Sequence, residues 1–287
     1  MRNKKTFILG LVASLGFSSL GFSSIGFSSL GLSSLGFVTP ALAAGEAITL
    51  KDIDFSFEGP FGTFDRAAAQ RGFQVYREIC SSCHGVQYFA FRNLEEIGYS
   101  DEMAKAIAAD YQVTDGPDDY GDMFERPGKL SDRIPAPFPN QNAARAANGG
   151  AYPPDLSVIV KARPDGAAYL YSLLTGYEEP PADIELEPGQ YYNAYMPGHK
   201  IAMPQPLYDD MVGYADGTEA TVEQMSKDVT VFLAWLAEPS MEDRKSIGFS
   251  FMIFMSIFVI LLYLTNRRIW RPIKKGAMPY VDKDHQA

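Results

Sequence analysis

The chain has 287 residues, 46% of them hydrophobic, with 25 Lys and Arg against 35 Asp and Glu, a net charge of −10. That length supports a substantial folded domain together with membrane segments, and the acidic balance argues against nucleic acid and against lying on anionic lipid. The only two cysteines, Cys80 and Cys83, have no distant disulfide partner and cannot complete a four-cysteine zinc site.

Residues 1–43 read as a signal peptide, removed in the mature chain. Arg2, Lys4 and Lys5 form a basic start, an apolar run follows from Thr6, and Ala41-Leu42-Ala43 is an A-x-A cleavage signal. Between them a five-residue Gly-Phe-Ser-Ser-Leu-like unit repeats from Gly16, Gly21, Gly26 and Gly31. A glycine- and serine-rich transmembrane helix is the competing reading. Glycine and serine at that density weaken it, so the mature chain is expected to begin near Ala44.

Residues 44–243 form the expected outer domain. It carries 14 Lys and Arg against 33 Asp and Glu, a net −19. Such a field steers a basic soluble partner and makes association fall with salt.

Thr63 to His84 is predicted as one helix, with Thr63 as N-cap, Asp65 in the first turn and three alanines behind. Phe73, Tyr76, Ile79 (or Val75) and Cys83 recur on one side of it. The helix would end in Cys80-Ser-Ser-Cys-His84, the spacing of a c-type haem attachment site. Two thiols three positions apart reach the two vinyl groups of one porphyrin, and His84 is placed to ligate the iron. The apolar stripe is then expected to face the haem. A thioredoxin-like CxxC would follow a strand in a βαβ unit, and no such pattern is visible. Export agrees with haem attachment, which in bacteria takes place on the outer side of the membrane.

Ser100 is expected to cap a shorter helix from Asp101 to about Tyr111, and Asp115 to Asp122 to form an acidic, turn-rich loop. Ile134 to Asn140 and Gly149 to Asp155 are too proline-rich or glycine-rich for regular structure. Asp165 is expected to cap a helix running to about Thr175, with Gly176 as its stop. Glu178 to Gly189 is another acidic loop. Thr221 and Gln224 make a capping box for a helix with Val222, Met225, Val229, Phe232, Leu233 and Leu236 on one face, ended by Pro239.

A short charged linker is expected before residues 246–265, which are apolar or small throughout and long enough to span a bilayer at about 20 residues. Arg267, Arg268, Arg271, Lys274 and Lys275 follow with no acid among them, so residues 266–287 are expected in the cytoplasm.

A second axial ligand on the iron has few candidates. His285 lies beyond the span. His199, Met196 and Met203 all fall in one stretch, where Pro204 and Pro206 stiffen the chain after Met203. The residues themselves leave the choice open.

Several segments together resemble the cytochrome c1 family. They are Arg71 to His84, Ala147-Asn-Gly-Gly-Ala-Tyr-Pro-Pro-Asp-Leu-Ser157, Ser172-Leu-Leu-Thr-Gly-Tyr177, Tyr192-Asn-Ala-Tyr-Met-Pro-Gly198, Ile201-Ala-Met-Pro204 and Trp235-Leu-Ala-Glu-Pro239. The resemblance implies an all-α cytochrome c fold with long loop insertions plus one C-terminal transmembrane helix. It implies one covalent heme c held by Cys80 and Cys83, His84 and Met203 as axial ligands, and Arg163 near a propionate. It implies an electron carrier in the cytochrome bc1 complex (ubiquinol–cytochrome c reductase), taking electrons from the Rieske iron–sulfur protein, passing them to a soluble basic c-type cytochrome and held beside cytochrome b. Quinol oxidation would belong to the complex, not to this chain. The haem domain would then be periplasmic, on a bacterial inner or intracytoplasmic membrane. A membrane-anchored cytochrome feeding a terminal oxidase and a haem peroxidase with a displaceable sixth ligand are the other readings. Met196 stands where the family often has phenylalanine, and the further cysteine pair of some bacterial relatives is missing.

Overall fold

The computed structural model describes residues 48–276; the expected signal peptide over 1–43 and the residues after Gly276 lie outside them. The helix leading to Cys80, α1, spans Arg66–Glu78, so it starts later and stops earlier than expected. Asp65, not Thr63, is its N-cap: the Asp65 carboxylate accepts from Ala68 N at 3.1 Å. Thr63 is held elsewhere, its N–H donating to Ser56 O. At the other end Ile79 makes the last bond of the helical pattern, to Val75 O, and a 3-10 turn over Cys80–Ser82 follows.

The remaining framework is helical, in agreement with the expected all-α class. A 3-10 segment covers Phe91–Ile97, α2 Asp101–Ala109, α3 Gln141–Ala147, α4 Gly166–Leu174, α5 Val222–Ala237 and α6 Met241–Lys274. Ser100 caps α2 through Met103 N. Asn140, at the end of a proline-rich segment, caps α3 through Ala143 N, a helix the sequence reading missed. Two antiparallel ribbons were also not expected. In one, β1 (Gln112–Asp115) pairs with β2 (Phe124–Pro127), Gln112 opposite Pro127. In the other, β3 (Tyr191–Tyr192) pairs with β4 (Lys200–Ile201). Long irregular segments join these elements.

The core is built where α1 crosses α5. Gly72 makes the crossing close, because a Cβ there would collide with the Asp228 carbonyl. Around it Phe73, Tyr76, Phe89, Phe232 and Trp235 are buried. Their rings meet at tilted or edge-on angles, with Phe73 to Phe232 at 5.5 Å and Phe89 to Trp235 at 5.9 Å, the arrangements that aromatic quadrupoles favour. The Phe73–Tyr76 stripe therefore packs on α5 and Phe89 instead of being spent on a cofactor. A polar tie is buried beside it. Asp228, fully buried on α5, accepts two bonds from Arg71 at 2.8 and 3.0 Å and one from Gln224. Gln224 thus leaves its half of the expected capping box undone, although Thr221 still caps α5 through Gln224 N.

The charged stretch expected as a linker is instead the first turn of α6, with Glu242 and Asp243 there and Arg271 and Lys274 in the last turn, the charge order a helix dipole favours. At 1.5 Å per residue its 34 residues run about 51 Å, against about 30 Å for a hydrocarbon core. Its apolar stretch is not buried within the protein.

Candidate haem-attachment site

Cys80, Cys83 and His84 sit on one tight turn. The N–H groups of Cys83 and His84 both return to Cys80 O, at 3.2 and 2.9 Å. The two serines between the cysteines stabilise the break from α1: Ser81 Oγ donates to Arg77 O at 2.7 Å and Ser82 Oγ to Ile79 O at 2.8 Å. Both thiols are free and half-buried. Burial, and then the neighbouring Cys83, pushes the Cys80 thiol up to about 12. A redox or nucleophilic CxxC needs the opposite shift. Among the described residues no cluster of three or more His, Cys, Asp or Glu could hold a bare metal ion.

His84 is oriented by the segment containing the paired prolines. Its Nδ1 lies 2.8 Å from Pro154 O. A carbonyl only accepts, so Nδ1 carries the proton and the lone pair rests on Nε2, the tautomer of a metal-ligating imidazole. Burial holds the His84 pKa below the usual range, against smaller opposing effects of Pro154 and Asp155, so the ring is neutral at neutral pH. Tyr76 OH donates to His84 O at 3.0 Å. The same segment clamps the chain beyond His84. Leu156 N donates to Gly85 O, Asp155 accepts from Gln87 N and Ser157 N, and Ser157 Oγ accepts from Tyr88 N.

The loop carrying Met203 is pinned by two residues whose roles the sequence reading missed. Asn193 is fully buried. Its Nδ2 donates to Leu173 O at 2.8 Å, and its Oδ1 accepts from Tyr195 N and Met196 N at 3.0 and 3.2 Å. Tyr177 OH donates to Met203 O at 3.1 Å. The only signal for Asn193 was its position just before the Met-Pro-Gly turn, where a side-chain amide substitutes for backbone partners. Gly176, expected as a helix stop, has another role: a Cβ there would collide with the Tyr195 ring. Asp165 likewise stands at the start of α4 without a side-chain cap bond, at φ 56°.

The rival ligands are differently engaged. Tyr169 OH donates to Met196 Sδ at 3.6 Å, and the His199 ring stacks on Tyr192 at 5.7 Å. No hydrogen bond among the described residues ends on the Met203 sulfur, and none links its loop to the Cys80–His84 turn. Arg163 is exposed in the turn before α4, and its guanidinium donates to Ala162 O at 3.0 Å. It also lies beside Tyr169, where it opposes the rise that burial imposes on that hydroxyl's pKa.

The Cytochrome C1 family model matches residues 55–273. The chain belongs to the cytochrome c1 family. A Bradyrhizobium diazoefficiens protein named cytochrome b/c1 is 52% identical over 238 residues, 75% of this chain and 35% of the relative; the chain thus spans about a third of that protein's length. A Saccharomyces cerevisiae protein named cytochrome c1, heme protein, mitochondrial, is 51% identical over 221 residues, 77% of this chain and 72% of the relative. A Candida albicans protein named cytochrome b-c1 complex catalytic subunit, mitochondrial, is 52% identical over 217 residues, 75% of each chain.

The residues of this cytochrome c1 family member fit a c-type haem. Two unpaired thiols adjoin an imidazole whose Nδ1 is committed to Pro154, and a thioether stands on a braced loop. The brace gives a first prediction. Asn193→Ala removes three part-buried hydrogen bonds and leaves the Tyr195 N–H unpaired, at about 1–3 kcal/mol. The Met203 loop should therefore release at a lower temperature than α1 and α5 unfold, seen as faster amide hydrogen exchange at Tyr195 and Met196 before the far-UV circular dichroism changes.

Proposed function

We propose that this chain carries one heme c, tethered through Cys80 and Cys83 and ligated by His84 and Met203, and serves as the membrane-anchored electron relay of a bc1-type complex beside cytochrome b. The observation that carries this reading is the 2.8 Å contact from His84 Nδ1 to Pro154 O within a CxxCH turn. Haem, when bound, supplies a one-electron iron couple. The chain's own residues set its surroundings. The Pro154 carbonyl raises the donor strength of His84 Nε2. Tyr177 and Asn193 hold the Met203 thioether where little entropy is left to lose. Arg163 offers a guanidinium to a propionate. A ligand braced on this scale favours outer-sphere electron transfer over a peroxidase with a displaceable sixth ligand.

The chain accepts an electron from the Rieske iron–sulfur protein and delivers it to a soluble, basic c-type cytochrome, so it contributes to a quinol–cytochrome c oxidoreductase without oxidising quinol itself. Residues 1–43 are removed on export, residues 44–243 lie in the periplasm, residues 246–265 span the bacterial inner (or intracytoplasmic) membrane, and residues 266–287 are cytoplasmic. The arginines and lysines after the span support that orientation. The net −19 of the outer domain supports the basic partner.

Stopped-flow mixing of the quinol-reduced complex with an oxidised basic cytochrome tests this reading. Reduction of the acceptor should require the Rieske protein. Its second-order rate should fall about 10- to 1,000-fold from low to high salt, as steering is screened. A salt-independent rate, or full transfer without the Rieske protein, would count against it.

A further inference from the structure

The segment from Phe55 to Phe64 runs alongside the start of α6 in a way the electron relay does not use. Glu242 accepts from Phe64 N at 2.7 Å and pairs with Arg66 at 2.8 Å. Lys245 Nζ donates to Phe57 O at 2.7 Å and to Gly62 O at 3.0 Å. The Phe61 ring meets Phe249 edge-on at 5.6 Å. Positions 242, 245 and 249 fall on one face of a helix, so the loop follows α6 over roughly 10 Å of its axis.

The tip of this loop is built to stay put. Thr63 N donates to Ser56 O and closes the loop. Gly59 takes φ +70°, and a Cβ on Gly62 would collide with the Glu58 carbonyl. Phe55, Phe57 and Phe64 stack inward at 5.1 and 5.2 Å, yet Phe61 is 74% exposed. Its contact, Phe249, lies four residues beyond Lys245, about 6 Å further along the axis, within the apolar stretch that leaves the domain. The exposed ring therefore lies against the start of the apolar stretch, one turn beyond the Lys245 ammonium.

We infer that the Phe55–Phe64 loop is a second membrane contact of this chain, in which Phe61 inserts into the bilayer at the headgroup–acyl boundary and, with Lys245 and Glu242, fixes the tilt of the outer domain on its helix. The domain's negative charge keeps the rest of its surface off anionic lipid, while an aromatic tip beside a lysine is suited to the interface.

The test places the photoreactive analogue p-benzoylphenylalanine at position 61 of the full chain, in the assembled complex in native membranes, and reads crosslinked peptides by mass spectrometry after illumination. The same probe at Tyr120, 91% exposed, serves as the aqueous reference. A phospholipid adduct at 61 and none at 120 is the expected result. An adduct to another polypeptide would make the tip a protein contact, an unreacted peptide would put it in water, and equal lipid adducts at both positions would show contact without insertion. Each of these three overturns the inference.

Discussion

Met203→Lys is expected to abolish the weak near-infrared band of the oxidised protein and to lower the haem reduction potential by a substantial part of the roughly 0.8 V range that axial ligands control. A thioether favours the reduced iron, whereas an amine favours the oxidised. The fold should survive, because Tyr177 bonds the Met203 backbone and not its sulfur, and the residue is half-buried on a loop outside the α1–α5 core. Met196→Lys should leave band and potential near their starting values, since Tyr169 already occupies that sulfur. Redox titration of both variants checks the pair. If the effects fall on Met196 instead, the ligand assignment is wrong.

Arg71→Met should cost about 3–5 kcal/mol of stability, the range for breaking a buried ion pair and leaving one charge behind. Asp228 is fully buried and loses two of its three donors. The site lies at the α1–α5 crossing, so the loss should appear in global unfolding by denaturant. The Arg71→Met/Asp228→Leu double variant should recover much of it, because no unpaired charge is then left in the interior. The network also predicts an acid response. Asp216 is held near 2 by the Thr218 N–H and hydroxyl and then by Arg71. A carboxylate whose pKa is lowered on folding stabilises above its unfolded value, near 4, and that contribution is lost as pH falls through about 2. Asp216→Asn removes that contribution, so it should lower stability at neutral pH and flatten the response between about pH 4 and 2, with the two proteins converging at the acid end.

What could be read in the sequence was local. The CxxCH turn, the Ser100 and Thr221 caps, the apolar face of α5 and the long apolar stretch of α6 all lie in contiguous residues with a known period or spacing, and all are present. What could not be read depends on distant partners. Pro154 orients His84 across 70 positions. Tyr177 and Asn193 brace the Met203 loop through bonds to segments about 20 to 26 residues away. The boundaries of α1 moved because the Asp65 carboxylate reached Ala68 N and the Ser81 and Ser82 hydroxyls took up the last carbonyls. The β1–β2 ribbon was hidden because both strands are largely exposed and polar, with no apolar alternation to reveal them. The charged start of α6 read as a linker because its partners, Phe57, Gly62, Phe64 and Arg66, lie at the other end of the domain's sequence.

A porphyrin bonded through sulfur to Cys80 and Cys83 stays with the polypeptide when the fold is lost. The direct measurement is the haem that stays with the polypeptide after denaturation and acid–acetone extraction of the membrane-purified chain. One haem per chain is predicted, with none retained in the Cys80→Ala/Cys83→Ala variant. A chain that gives up all its haem to the solvent, or a double variant that retains it, would show that these two cysteines do not tether the haem.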